Sequence, residues 1–279
     1  MVFRGRIRKY MKKKVILFDI DGTLIDCSHG HTSLNDITKQ ALLSLKEQGH
    51  YLFIASGRPY CYIMDELLSF PFDGYILNDG SYVLFQDQEL LYQPILEKDI
   101  QPIIDQVKEK RLTFIGYGKQ YAYVLYDDGS LVDYAKTFMI NDQLVKMVQD
   151  ISEIPEPFLK IHIQCNNEKD YQYFKLDNHQ FYCADDNSHY LKEIYSKRYT
   201  KATALKSVLK QLKVSIEDTY FFGDGFNDIE MMDTVAHSIA MDNASDEVKQ
   251  HANYICKSVA QDGVADFILH SDLFNEEES

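Results

Sequence analysis

A run of four apolar residues, Val15 to Phe18, leads directly into two acids, Asp19 and Asp21. So short an apolar run, closed by charge, reads as a strand buried on both faces. Beyond it Leu34, Ile37, Ala41, Leu42 and Leu45 recur at helical spacing, and Gly49 stands where such a helix would be capped. Tyr51 to Ser56 is the next apolar run, a helical pattern follows Pro59, and Gly74 to Asp79 is a third strand candidate. This order, βαβαβ, predicts a mostly parallel sheet.

From about Ser81 to Tyr190 the texture changes to hairpin-like pairs. In Tyr121 to Ala135, for example, Asp128-Gly129 separates two alternating stretches and predicts a turn. Near Thr200 the first texture returns. Ala202, Leu205, Val208, Leu209 and Leu212 mark a helix, Thr219 to Gly225 a strand, Asn227 to Ala236 a helix, His237 to Met241 a strand and Gly263 to Phe274 a closing helix. The expected organisation is therefore an α/β core in two pieces, 14–82 and 190–279, interrupted by an inserted domain, 83–189, and preceded by a leader, 1–13. No internal repeat or low-complexity linker interrupts this pattern, and Glu276 to Glu278 read as a frayed acidic tail.

Composition narrows the possible partners. With 279 residues, 45% of them apolar, the chain suits one large or two ordinary domains with real cores. A net charge of −14 repels nucleic acid and anionic membranes at long range, and no apolar stretch is long enough to span a bilayer. The expected partner is a small molecule; a phosphate-bearing one would have to be drawn by a local site or a metal. Cys27, Cys61, Cys165, Cys183 and Cys256 are odd in number and never spaced as CxxC, which argues against a disulfide framework or a zinc site and fits a reducing cytoplasm. Arg4, Arg6, Arg8, Lys9, Lys12, Lys13 and Lys14 crowd the N-terminus, but the apolar run behind them is too short for a secretory signal. The expectation is a solvated, disordered leader with the true start at Met11. Nothing in the sequence sets the oligomeric state.

Carboxylates are almost never buried unless they are paired or hold a metal, so a buried strand ending on Asp19 and Asp21 must deliver them to a crevice. Ligands of open α/β sheets bind at the carboxyl ends of strands, and other candidate anchors fall there too: Ser56, followed by Gly57 and Arg58, and the pair Asp224 and Asp228. Lys201 stands instead at a helix start, which suits a cation meeting a bound anion. Singly these signals are weak. Asp-x-Asp-Gly occurs in turns and in calcium loops, although an EF-hand places its glycine sixth and Gly22 is fourth. Asp127-Asp128-Gly129 has a similar composition and reads as no more than a turn. The order and context of the anchors carry the weight.

In that order the stretches DIDGTLID, ASGRP, KATAL and GDGFNDIEMM resemble the four motifs of the haloacid dehalogenase-like phosphohydrolases, and the insertion resembles the α/β cap of their Cof-type branch. NDGSYV, AMDNAS and DGVADFI resemble further parts of that branch's pattern, while Ala202 and Asp242 stand where it commonly has glycine. The resemblance implies a Rossmann-like parallel-sheet core with an inserted α/β cap domain. It also implies a cytoplasmic, Mg²⁺-dependent phosphatase of small phosphorylated metabolites, either sugar phosphates or phosphorylated cofactors. Asp19 is expected to be the nucleophile, forming an aspartyl-phosphate, and Asp21 the general acid and base. The Asp19 carboxylate, the Asp21 main-chain carbonyl and Asp224 are expected to hold the metal, with Asp228 auxiliary. Ser56, the Gly57 amide, Lys201 and Asn227 are expected to hold the phosphate.

Elementary electrostatics agrees with these roles. A carboxylate meeting one phosphate charge at 4 Å is repelled by roughly 4 kcal/mol at an effective dielectric near 20, so a divalent ion and a lysine are needed between them. All-oxygen ligands point to Mg²⁺ rather than zinc.

The cap is less legible. Tyr117, Tyr121, Tyr123 and Tyr126 read as hairpin packing, with stacking on a substrate ring the competing use. His29 and His31 read as loop surface, His162 and Cys165 as sheet residues, and Arg58 as a contact to cap or substrate. Two other functions use the same residues. A phosphomutase would isomerise a sugar phosphate instead of releasing phosphate, and a catalytically silent phosphate sensor would bind without turnover.

Overall fold

The computed structural model describes residues 12–127, 129, 142–176, 181–186 and 190–274. The leader expected at 1–13 lies outside them except for Lys12 and Lys13. Lys12 pairs with Asp218 at 2.8 Å, and Lys13 reaches the Tyr51 hydroxyl at 3.4 Å. The acidic tail lies outside, as do Asp128 and the second arm of its expected hairpin.

Eight strands form the first sheet: β1 (Val15–Phe18), β2 (Tyr51–Ala55), β3 (Gly74–Leu77), β4 (Tyr82–Phe85), β5 (Gln88–Tyr92), β12 (Thr219–Gly223), β13 (His237–Met241) and β14 (Tyr254–Cys256). Their order is β14-β13-β12-β1-β2-β3-β4-β5, parallel from β14 to β3 and antiparallel beyond. Alternation along β1 explains why the run is apolar throughout. Ile16 and Phe18 enter the core on one face of the sheet, while Val15 and Leu17 enter the core on the other, and all four are fully buried.

Strand order reverses at β1. The chain proceeds outward through β2 and β3, then returns on the other side as β12, so a crevice opens between the carboxyl ends of β1 and β12. The register pairs Phe18 with both Phe222 and Ile54, and the Asp19 N–H continues the ladder by donating to the Phe222 carbonyl at 2.9 Å. Asp19, Ser56 and Asp224 are thereby set side by side.

The second sheet is the inserted cap. It comprises β6 (Thr113–Tyr117), β7 (Ala122–Leu125), β8 (Val145–Met147), β9 (Lys160–Gln164), β10 (Phe181–Asp186) and β11 (Leu191–Ser196), in the order β10-β11-β9-β6-β7-β8. A helix over Glu97–Lys110 contributes Ile100, Ile103, Ile104 and Val107 to the core on one of its faces. Its seat on the first domain is apolar, with Cys61 and Tyr62 buried among Ile115, Tyr117, Ala122 and Val124. Sheet membership divides the chain differently from the texture of the sequence. β4 and β5 are hairpin-like but pair onto the core sheet, whereas β11, beyond the expected end of the insertion at 189, pairs with β9 in the cap. Alternation identifies a strand but not the sheet that receives it.

No helix among the described residues is long and apolar enough to cross a membrane. His50, only 3% exposed, accepts from the Lys14 N–H at 3.3 Å. Burial, helped by the charge of Lys14, pushes its pKa down to about 4 from an ordinary 6.5. Below pH 6.5 the unfolded chain therefore takes up a proton that the folded protein resists. We expect stability to fall between about pH 6.5 and pH 4, by an amount of order 2 kcal/mol attributable to this residue. Urea midpoints at pH 7 and pH 4.5 check this, since the loss should be smaller in His50→Gln; an equal loss would assign it elsewhere.

Candidate active site

Lys201 is the pivot of the crevice. It begins the helix Lys201–Leu212, whose start is fixed by a capping box between Thr200 and Thr203. Although 2% exposed, its ammonium donates to Asp19 Oδ1 at 2.7 Å and to Asp228 Oδ1 at 2.6 Å. Burial alone would lower its pKa, but the Asp19 and Asp228 carboxylates hold it above the ordinary value. The other oxygen of Asp228 accepts from the N–H groups of Asp224 at 3.0 Å and Gly225 at 2.9 Å. Asp228 thus fixes both the lysine and the loop that carries Asp224.

Asp224 is oriented from two sides. Thr23 Oγ1 donates to its Oδ1 at 3.0 Å, and Asn243 Nδ2 donates to its Oδ2 at 3.2 Å and to the Gly22 carbonyl at 2.8 Å. Gly22 has φ +78°, and a Cβ there would lie 2.0 Å from Asp224 Oδ2, so glycine is required both for the turn and for the close approach. Burial pushes the Asp224 carboxyl up to about 6, and raises that of Asp19 against the opposing pull of Lys201. Oxygens of Asp19, Asp224 and Asp228 all lie within 4.8 Å of one another. One ammonium cannot neutralise three such acids, and their donors are all oxygen, so the cluster fits a hard divalent cation.

Asp21 turns the other way. Its carboxylate is half exposed and is gripped by the Arg58 fork, Nε to Oδ2 at 2.7 Å and Nη2 to Oδ1 at 2.6 Å. Arg58, 7% exposed, also donates to the Tyr62 carbonyl at 2.8 Å. Its fork is thus engaged on the core side, although the residue also lines the cavity. Ser56 Oγ accepts from the Arg58 N–H at 3.2 Å, which leaves its own hydroxyl hydrogen to donate.

Asp79, which follows β3, was not among the expected site residues. It accepts from Asn227 Nδ2 at 3.2 Å and from Lys160 Nζ of the cap at 3.0 Å. Asn78, Asp79 and Gly80 have φ of 49°, 53° and 104°, an uncommon run for which only the last residue is naturally suited. An acid ending a third strand, as Asp19 ends the first, was the available signal.

The cap closes over these groups. A cavity of about 470 Å³ is bounded by Asp19, Asp21, Ser56, Gly57, Arg58, Asp79 and Asn227 below and by Lys160, His162, Glu193 and Tyr195 above. All the expected site residues except Asp224, Asp228 and Lys201 line it directly, and those three cluster about Asp19, Lys201 at 2.7 Å and the two acids within 4.8 Å. His162 is a sheet residue of β9, as expected, and also faces this cavity; Cys165 is buried just after β9. Tyr117 and Tyr123 are buried, and Tyr121 and Tyr126 pack against the cap core, so packing explains the four tyrosines. His29 lies at the surface on Asp26, and His31 is exposed.

Acids aligned at the strand ends of a parallel sheet, gathered around one buried lysine and roofed by an inserted domain, define a capped α/β enzyme. The family model for haloacid dehalogenase-like hydrolases matches residues 16–268. YkrA of Bacillus subtilis is 28% identical over 264 residues, which span 91% of this chain and 96% of that protein. The 5-amino-6-(5-phospho-D-ribitylamino)uracil phosphatase YitU of the same organism is 26% identical over 273 residues, 92% of this chain and 97% of its own. Among solved structures, the subclass IIB sugar phosphatase BT4131 shares the fold with a TM-score of 0.79 at 22% identity, covering 94% of this chain and 100% of that one. The chain belongs to the haloacid dehalogenase-like hydrolase family.

Proposed function

We propose that the protein is a Mg²⁺-dependent phosphatase that hydrolyses small phosphorylated metabolites, sugar phosphates or phosphorylated cofactors, through an aspartyl-phosphate on Asp19. The observation that carries this reading is the pairing of buried Asp19 with Lys201 at 2.7 Å, beside Asp224 and under the cap. A carboxylate held on a fixed cation beside a cation-seeking acid cluster suits attack on an anion. The five free cysteines support a reducing, cytoplasmic setting.

In the first step an Asp19 oxygen forms a bond to phosphorus as the ester oxygen leaves, and Asp21 gives that oxygen a proton. In the second, Asp21 takes a proton from water as the water oxygen attacks phosphorus, which releases inorganic phosphate and restores Asp19. The Asp19 carboxylate, the Asp21 main-chain carbonyl and Asp224 would hold Mg²⁺, which would supply positive charge that offsets the repulsion between the two anions. Ser56, the Gly57 amide, Lys201 and Asn227 hold the phosphate oxygens, and Asp228 keeps Lys201 in place. Arg58 holds Asp21 between proton transfers.

The test is a panel of phosphate esters with Mg²⁺, read as free phosphate. EDTA is expected to abolish release and added Mg²⁺ to restore it, because both reacting groups are anions. Release that survives EDTA would remove the metal, and an isomerised sugar phosphate without free phosphate would make the enzyme a mutase.

A further inference from the structure

The roof of the cavity is a two-by-two patch of polar side chains written into the cap sheet. Lys160 and His162 alternate on β9, Glu193 and Tyr195 alternate on β11, and the antiparallel register sets Glu193 opposite His162 and Tyr195 opposite Lys160. All four line the cavity, as the contribution of the cap sheet to it.

The ion pairs within this patch decide what it can receive. Lys160, 3% exposed, donates to the Gly57 carbonyl at 2.9 Å and to Asp79 Oδ2 at 3.0 Å, and it also pairs with Glu193 Oε1. His162 Nδ1 is taken up by the Tyr117 hydroxyl at 2.8 Å, which in turn meets the Tyr62 hydroxyl at 2.7 Å. The Glu193 side chain remains 31% exposed, open to the cavity. Among the described residues, Lys160 and Arg58 are the lysine and arginine that line the cavity, and both are already committed to carboxylates. Two acids, Asp79 and Glu193, thus share one lysine, with His162 Nε2 a further 3.7 Å from Glu193 Oε1, so the roof carries more acid than lysine. Burial opposes ionisation of Glu193, but Lys160 and His162 hold its carboxyl below the ordinary range.

We infer that this wall selects phosphate esters with a neutral, hydroxyl-rich leaving group and rejects those that carry a second anionic group, with Glu193 as the residue that sets the preference. Hydroxyl groups can donate to the exposed part of the Glu193 carboxylate, whereas a second carboxylate or phosphate meets the excess of acid over lysine, with neither the lysine nor the arginine of the described lining left to receive it. This inference rests on the phosphatase reading and narrows its substrate.

Two esters of one six-carbon chain test it, sorbitol 6-phosphate and 6-phosphogluconate, which differ in a terminal hydroxymethyl or carboxylate. The ratio of their kcat/KM values is read within each protein, so a general loss of activity cancels. We expect wild type to favour sorbitol 6-phosphate by about tenfold or more, Glu193→Gln to bring the ratio to within a few-fold of one, and Glu193→Asp, which keeps the charge, to retain the preference. A wild-type ratio near one, or one favouring the acid, overturns the proposal whether or not the variants fold. A full preference retained in folded Glu193→Gln, checked by circular dichroism, overturns the role of Glu193. Absence of phosphate release from both esters and from p-nitrophenyl phosphate would overturn the phosphatase reading itself, and this narrowing with it.

Discussion

Asp19→Asn is expected to leave a folded protein with no turnover of any ester, a loss on the order of 10⁴-fold or more, as for removal of other enzymatic nucleophiles. The structure explains why the chemistry should fail while the fold survives. Lys201 keeps its 2.6 Å contact with Asp228, and an amide oxygen at position 19 can still accept from it. Burial already works against charge on Asp19, so a neutral amide removes a costly ion rather than a cohesive one. Thermal midpoints should therefore move by a few degrees at most. The measurement is steady-state phosphate release together with acid-quenched protein assayed for covalent phosphate, which wild type should carry and the variant should lack. Turnover within about 10²-fold of wild type would take the nucleophile's role from Asp19.

How much of this was legible beforehand follows from which interactions are local. The acid at the end of β1 could be read from four consecutive apolar residues and the charge behind them, and Lys201 from its helix start, because each signal lies within one element. Motif order then supplied what topology demands, namely that elements 182 residues apart, Asp19 and Lys201, meet at one switch point. The cap wall was not legible in this way. Lys160, His162, Glu193 and Tyr195 become one patch only through the register of β9 on β11, and a one-residue slip would turn either pair to the opposite face. Arg58 was expected at cap or substrate, yet its fork is turned back onto Asp21, 37 residues earlier, a choice that depends on the burial of its stem. β4 and β5 show the same limit at the scale of a sheet, since their alternating pattern suits either sheet and contact with β3 decides.

That Arg58 grip sharpens the second large expectation, which concerns Asp21→Asn. Each oxygen of Asp21 accepts one bond from the fork, at 2.7 and 2.6 Å, which fixes the carboxylate's orientation and leaves its remaining lone pairs for a proton. An amide at position 21 can still accept one bond from Arg58, but it can neither protonate a leaving group nor take a proton from water. With an alkyl phosphate the leaving alkoxide needs that proton, and the first step should slow by roughly 10²- to 10⁴-fold. With p-nitrophenyl phosphate the leaving anion is stable by itself, so phosphorylation of Asp19 should persist better while hydrolysis of the aspartyl-phosphate stays slow. Rapid mixing should then show a burst of nitrophenolate close to one equivalent per active site, followed by slow turnover, and quenched protein should carry phosphate on Asp19. Wild type run alongside fixes the intrinsic preference between the two esters. Equal losses for both, without a burst and without trapped phosphate, would mean that Asp21 serves chiefly to hold Arg58 and the shape of the metal site. In that case Asp21→Asn should also show a lower thermal midpoint, since a guanidinium only 7% exposed would have lost its full counter-charge.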